Sequence, residues 1–101
     1  MMTEKNPNQT WSNLTAFRRD LLQAVAQHDG DPYGLEVKST VEEWYGSEIL
    51  NGRLYPNLDA LAERGLVSKG TIDDRTNSYA LTEWGERVLE AGSDRLAEVT
   101  A

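Results

Sequence analysis

Apolar residues recur along this chain first at helical spacing, then at strand spacing, then at helical spacing again. Phe17, Leu21, Leu22, Val25 and Ala26 share one helical face. Thr15 is a side-chain N-cap for that helix, and Asp29-Gly30-Asp31 is turn chemistry that stops it near His28. A second helix is expected to start at Asp31-Pro32, with Asp31 as N-cap and Pro32 in the first helical position. Val37, Val41, Trp44 and Tyr45 form its apolar stripe, and Gly46 ends it as a left-handed cap. Gly34 lies in its first turns, where glycine costs about 1 kcal/mol against alanine. Either a close backbone approach or a tolerated weak spot is expected there. After a linking turn from Ser47 to Asn51, Pro56 fits the first turn of a third helix because it lacks an amide hydrogen. That puts the start between Gly52 and Leu54, turns Leu54, Leu58 and Leu61 inward, and makes Gly65 the stop.

The period then changes. Leu66 to Ile72 reads as a strand weakened at Gly70, residues 73–77 as a turn cluster, and Ser78 to Leu81 as the returning strand. Thr82 caps a last helix, over about 82–99, with Trp84, Val88, Leu89, Leu96 and Val99 along one side. Residues 1–12 are polar, carry Pro7, and are expected to be a flexible tail whose end Trp11 and Leu14 tie down. Residues 13–101 form one domain with no internal repeat. A helix followed by a two-stranded flap gives the fold class: α+β, mostly α, a winged helix-turn-helix with a two-stranded β-hairpin wing and a C-terminal dimerisation helix. The last helix is long for so small a domain, so its overhang past Gly92 is expected to meet a second copy. Trp11, Phe17, Val88, Leu89, Leu96 and Val99 are the candidate dimer contacts.

Composition narrows the chemistry. At 101 residues the core is modest. The absence of cysteine excludes disulfides, thiolate metal sites, cysteine nucleophiles and thiol switches. No apolar run is long enough to span a membrane, and no charged-then-apolar segment opens the chain, so a cytoplasmic protein is expected. Seventeen acids against ten bases give a net charge of −7, with a pI near 4.6. That charge argues against a nucleic-acid binder, which gains affinity by neutralising phosphates. Yet only Lys5, Lys38 and Lys69 are lysines, the other bases being arginines. An acid-rich, lysine-poor surface suits a salt-loaded cytoplasm, where molar salt shortens the Debye length to about 3 Å. No catalytic set stands out. His28 is the one histidine and reads as a helix-end residue. The pairs Glu42-Glu43 and Asp73-Asp74 read as solvated surface, and the glycines match no phosphate loop. The expectation is no enzyme, no metal site and no cofactor.

The third helix is the most informative. With its leucines inward, its other side carries Arg53, Tyr55, Asn57 and Ala60, with Asn51 just before. Arginine and asparagine read guanine and adenine edges bidentately, tyrosine reaches a phosphate, and alanine admits a thymine methyl. On the flap, Lys69, Arg75, Thr76 and Asn77 cluster in a chain poor in bases, although Asp73 and Asp74 share the turn. Arg18, Arg19 and Lys38 are further candidates for phosphate contact. An exposed polar helix face and a soluble hairpin loop are the plainer account of the same residues. That account leaves open a winged helix that pairs with another regulator without binding DNA.

The segment Gly52-Arg-Leu-Tyr-Pro-Asn-Leu-Asp-Ala-Leu-Ala-Glu-Arg-Gly-Leu-Val67 resembles the G-x-L-Y-P-x-L-x-x-L-x-x-x-G-L-[IV] signature of PadR-type transcriptional regulators. Pro32-Tyr-Gly-Leu-Glu-Val37 is similar to that family's H-G-Y-x-[IL] opening of helix two, and Tyr79-Ala-Leu-Thr-Glu-Trp-Gly85 to its Y-x-L-T-x-x-G ending. The resemblance covers about residues 14–90. It implies a homodimeric DNA binder, usually a repressor, on a pseudo-palindromic operator. The third helix would enter the major groove, and the wing would reach the flanking backbone or minor groove. It places Tyr55 on DNA near the helix start and Arg53, Asn51 and Asn57 on the reading face. The acidic, lysine-poor wording looks like the haloarchaeal branch, some of whose members respond to oxidative stress. Many members carry a longer C-terminal helical region. Here the first and last helices must serve for dimerisation, and the chain departs from the family in the region that those members use for ligand capture. Without cysteine an oxidant response would be indirect or use Met1 and Met2. The conflict between acids and DNA is resolved if salt cations are held at the interface.

Overall fold

The computed structural model describes residues 6–100, so Met1, Met2 and the start of the expected tail lie outside the described residues. The order is α1 (Pro7–Asn13), α2 (Ala16–Gln27), α3 (Gly34–Tyr45), α4 (Asn51–Glu63), β1 (Val67–Thr71), β2 (Asn77–Leu81) and α5 (Glu83–Thr100). The helices expected as first, second and third are α2, α3 and α4. Five helices and one antiparallel hairpin make a mostly helical winged helix-turn-helix, as the spacing predicted.

Local chemistry explains most boundaries. Thr15 accepts the Arg18 amide at the start of α2, and Gly46 closes α3 at φ 67°. α3 begins two residues later than expected, because Tyr33 caps it and the Glu36 carboxylate accepts the Tyr33 amide at 3.1 Å. α4 begins at Asn51, so Pro56 sits inside it, beyond the first turn. Thr82 heads α5: its hydroxyl accepts the Gly85 amide at 2.9 Å and donates to the Gly65 carbonyl at 2.6 Å.

The segment expected to be a tail through residue 12 is helical from Pro7 onward. Asn6 accepts the Gln9 amide and Pro7 takes the first helical position, which is a helix-start signal in its own right. α1 lies along α5, with the Trp11 indole seated on Gly92, where a Cβ would come within 2.3 Å of the ring. Gly92 lies inside α5, where it makes room for Trp11. Arg95 donates to the Ser12 hydroxyl at 2.8 Å across the same joint.

The core runs through all seven elements except α1. Leu21 and Leu22 from α2, Val37 and Val41 from α3, the three leucines of α4, and Leu66, Tyr79 and Val88 are essentially inaccessible. Ala26, expected inside, is exposed, and Trp44 and Tyr45 stand well out of the core. The hairpin pairs Val67 with Leu81 and Lys69 with Tyr79. The α2–α3 loop joins its inner edge, the Tyr79 amide donating to the Pro32 carbonyl at 2.8 Å. Two expected dimer contacts need correcting. Phe17 and Val88 are buried in the chain's own core and have no surface left for another molecule. Trp11 and Leu89 are half-buried on the same chain, whereas Leu96 and Val99 remain 66% and 81% exposed.

Candidate nucleic-acid interface

Once Leu54, Leu58 and Leu61 turn inward, the 100° step of the helix fixes where the rest of α4 points. Gly52, Pro56 and Glu63 form the outermost line and are exposed. Arg53, Asn57 and Ala60 fall on the flank towards α2, while Asn51, Tyr55 and Asp59 fall on the flank towards α3 and the hairpin. The contacts agree with that division.

On the α2 flank, the Arg53 guanidinium stacks 3.9 Å from the centre of the Phe17 ring. Asn57 accepts from Arg18 Nε at 2.9 Å and donates its amide to the Arg53 carbonyl at 2.7 Å. Phe17 also packs at a tilt against Tyr45, 6.2 Å between centroids. The Tyr45 hydroxyl donates to Asp20. Burial and that hydrogen bond push the Tyr45 pKa up to about 12, so it stays a donor at physiological pH. On the α3 flank, Lys38 Nζ donates to Asn51 Oδ1 at 3.1 Å. The Tyr55 ring lies across the backbone at Gly34, where a Cβ would stand 2.6 Å from Tyr55 Cε1. The close approach at Gly34 is therefore real, and its partner is a ring. Gly34→Ala is expected to cost about 1–3 kcal/mol by forcing that ring aside, although alanine is the better helix former. Urea unfolding checks this; a variant more stable than the parent would show that the ring yields freely.

The hairpin bears the other expected residues. Lys69 Nζ pairs with Asp59 Oδ1 at 3.0 Å. At the tip, Asp73 Oδ1 accepts the amides of Arg75 and Thr76 at 2.8 and 2.9 Å. The Arg75 amide foremost, with the Thr76 contacts, holds the Asp73 carboxyl below its ordinary value. That acid is a structural part of the turn. Arg75 is exposed, while Thr76 and Asn77 are half-buried. With Tyr33, Gly34, Leu35, Tyr55 and Ile72 they line a groove of about 380 Å³ between α3, α4 and the tip. Arg19 is placed elsewhere. Its Nε donates to the Trp11 carbonyl at 3.1 Å and its guanidinium covers the Trp11 ring at 4.9 Å, so it braces α1. His28 ties the end of α2 to α3 through a 3.0 Å hydrogen bond between its Nε2 and Thr40 Oγ1, and Thr40 Oγ1 also lies 3.1 Å from the Glu36 carbonyl.

Thus Arg18, Lys38, Asn51, Arg53, Tyr55 and Asn57 come together around the first half of α4, and Arg75 and Lys69 flank them. Two participants were missed in the sequence. Phe17 is the platform under Arg53, and Asp59 is the partner of Lys69; neither has a signal beyond its helical register. Among the described residues, no three acidic or histidine side chains converge as a metal site, and no helix is long and apolar enough to cross a membrane.

The comparisons agree with this architecture. A model of the transcriptional regulator PadR-like family matches residues 21–91, well over half of the chain. The structure is similar to that of the hsRosR-S4 complex, with 39% identity and a TM-score of 0.87 over 92% of this chain and 79% of that one. It is also similar to Halobacterium salinarum RosR grown from NaBr, with 44% identity and a TM-score of 0.76 over 85% and 77% of the two chains. A PadR-like transcription factor from Bacteroides fragilis shares the fold at 23% identity, with a TM-score of 0.62 over 83% and 90%. No curated protein sequence matches. The chain belongs to the PadR-like family of transcriptional regulators.

Proposed function

We propose that this regulator is a sequence-specific DNA-binding protein, a repressor that acts as a homodimer on a pseudo-palindromic operator in the cytoplasm and works by occluding polymerase. The observation that carries this is the gathering of Arg18, Lys38, Asn51, Arg53, Tyr55 and Asn57 around the start of α4 in a chain of net charge −7. Three of the chain's ten bases, Arg18, Lys38 and Arg53, stand there with two asparagines around one helix. α4 would enter the major groove, and the wing, through Arg75, Thr76 and Asn77, would lie on the flanking backbone. The uncovered Leu96 and Val99 on the end of α5 support the twofold pairing. Enrichment of duplexes from a random pool tests the proposal. Two inverted half-sites about 10 base pairs apart are expected. A pool with no enriched sequence would favour the protein-interaction module.

The acids around this face set the salt response. Where carboxylates approach phosphates, salt cations are held in the complex and are not all expelled. Operator affinity is therefore expected to fall with KCl less steeply than the usual slope of about −0.9 per neutralised phosphate. Anisotropy titrations from low to molar KCl measure it, and a full-slope decline would reject cation retention.

A further inference from the structure

The pair Lys69–Asp59 is the one salt bridge among the described residues, although the chain carries seventeen acids and ten bases. It links β1 to α4, and both side chains are partly open to solvent, 39% and 48% exposed. An exposed pair of this kind contributes about 0–1 kcal/mol, so stability does not account for it. Its position does. Asn51, Tyr55 and Asp59 follow one another at intervals of four residues on the α3 flank of α4, so Asp59 stands one turn beyond Tyr55. Lys69 sits opposite Tyr79 in the hairpin and therefore shares its strand face, turned towards α4. The pair occupies the corner between recognition helix and wing. A duplex with α4 in its major groove and the wing on the flanking strand must run its phosphates past that corner. No other side-chain hydrogen bond joins α4 to the hairpin among the described residues, and the Tyr79 hydroxyl nearby is buried without a partner. The hydrogen bond to Asp59 holds the Lys69 ammonium above its ordinary pKa.

We infer that Asp59 is a stand-in for a DNA phosphate: it holds Lys69 in the free protein, and a duplex must displace it to claim that lysine. This rests on the DNA-binding reading above. Asp59 thereby lowers affinity for any duplex, matched or not, and sets a threshold that weak, purely electrostatic encounters do not cross. The exchange costs affinity because the duplex must forfeit the Lys69–Asp59 pairing to claim the lysine, and the cost can be overcome because the bridge is solvated.

The test is a double-mutant cycle read by anisotropy on a 24-base-pair duplex of random sequence in 0.1 M KCl. Asp59→Asn is expected to raise affinity about three- to tenfold and to steepen the KCl slope by about one, since one more lysine neutralises phosphate without an internal acid to leave behind. In a Lys69→Met background the same substitution should gain less than twofold. Glu63→Gln, on the outermost line of α4, removes one charge from the same helix without freeing a lysine and supplies the long-range contribution alone. A gain from Asp59→Asn that matches Glu63→Gln, or that persists undiminished without Lys69, overturns the proposal while leaving DNA binding intact. A parent protein that binds no duplex at low salt would instead defeat the DNA-binding reading itself.

Discussion

Gly85→Ala is expected to destabilise the fold by about 3 kcal/mol and to lower the unfolding midpoint by roughly 12–24 °C. A Cβ at residue 85 would stand 2.0 Å from the Leu66 carbonyl oxygen and 2.9 Å from Leu81 Cδ1. The first of these is a backbone atom with nowhere to go. The Leu66 carbonyl already accepts the Thr82 amide at 3.2 Å and the Thr82 hydroxyl at 3.1 Å. It is the point where the strand leaving α4 meets the start of α5. Moving it would loosen the cap of α5 and shift β1 together, so the wing would lose its seat. Gly52→Ala is the control. Position 52 has open space around it and lies in α4, so alanine there is expected to be neutral or to stabilise by up to about 1 kcal/mol. Thermal and urea unfolding of the two variants measure the contrast. A Gly85→Ala protein within about 0.5 kcal/mol of the parent would show that the α4–β1–α5 junction is soft.

The same junction shows why the architecture was legible in the chain. Thr15, Gly46, Gly65 and Thr82 are local signals, each acting on backbone groups a few residues away, and each was enough to place a helix end. The leucines of α4 repeat with the helix, so their inward face, and by subtraction the outward one, followed from spacing. What spacing could not convey was contact between distant positions. Trp11 on Gly92 and Arg95 on Ser12 join residues some eighty apart, so α1 looked like a tail and the seat at Gly92 left no mark in the spacing. Phe17 fell into the same gap. Its period marked it correctly as buried, but the guanidinium that lies over it comes from the next-but-one helix. Asp59 had no signature at all, because an acid on an exposed helix flank means nothing until the lysine beside it is known.

Net charge misled for a related reason. It averages over the surface, whereas binding depends on what meets the ligand. Glu42 accepts the Ile49 amide at 2.8 Å, Glu36 caps α3, and Asp73 shapes the wing tip. Several acids near the proposed interface are thus engaged with backbone amides that would otherwise be unsatisfied. Three bases near α4 are instead held by neutral acceptors or an aromatic ring, Arg18 by Asn57, Lys38 by Asn51 and Arg53 by Phe17, while Lys69 is paired with the acid Asp59. The charge of those three is not cancelled, and local potential can be positive on a protein that is negative overall.

Arg53 is the base in this set on which specificity should depend most. Arg53→Ala is expected to weaken operator binding by about 5- to 150-fold, the 1–3 kcal/mol of one bidentate base contact, and to weaken binding to a scrambled duplex far less. The Phe17 ring holds the planar guanidinium at 3.9 Å, so the side chain loses little freedom when it docks. Arg53→Lys separates charge from geometry. Lysine keeps the positive charge, and with it the dependence on KCl, but it lacks the planar fork and stacks poorly. It is expected to lose most of the preference for the operator while leaving the salt slope unchanged. Neither variant should alter the fold, since an exposed stack of this kind contributes about 0.5–1 kcal/mol. Paired titrations of the selected operator and its scrambled counterpart give both quantities at once. If the ratio of the two affinities stays the same in Arg53→Ala, the residue is a phosphate contact and base recognition must be carried by Asn51 and Asn57, whose present partners, Lys38 and Arg18, would then have to release them.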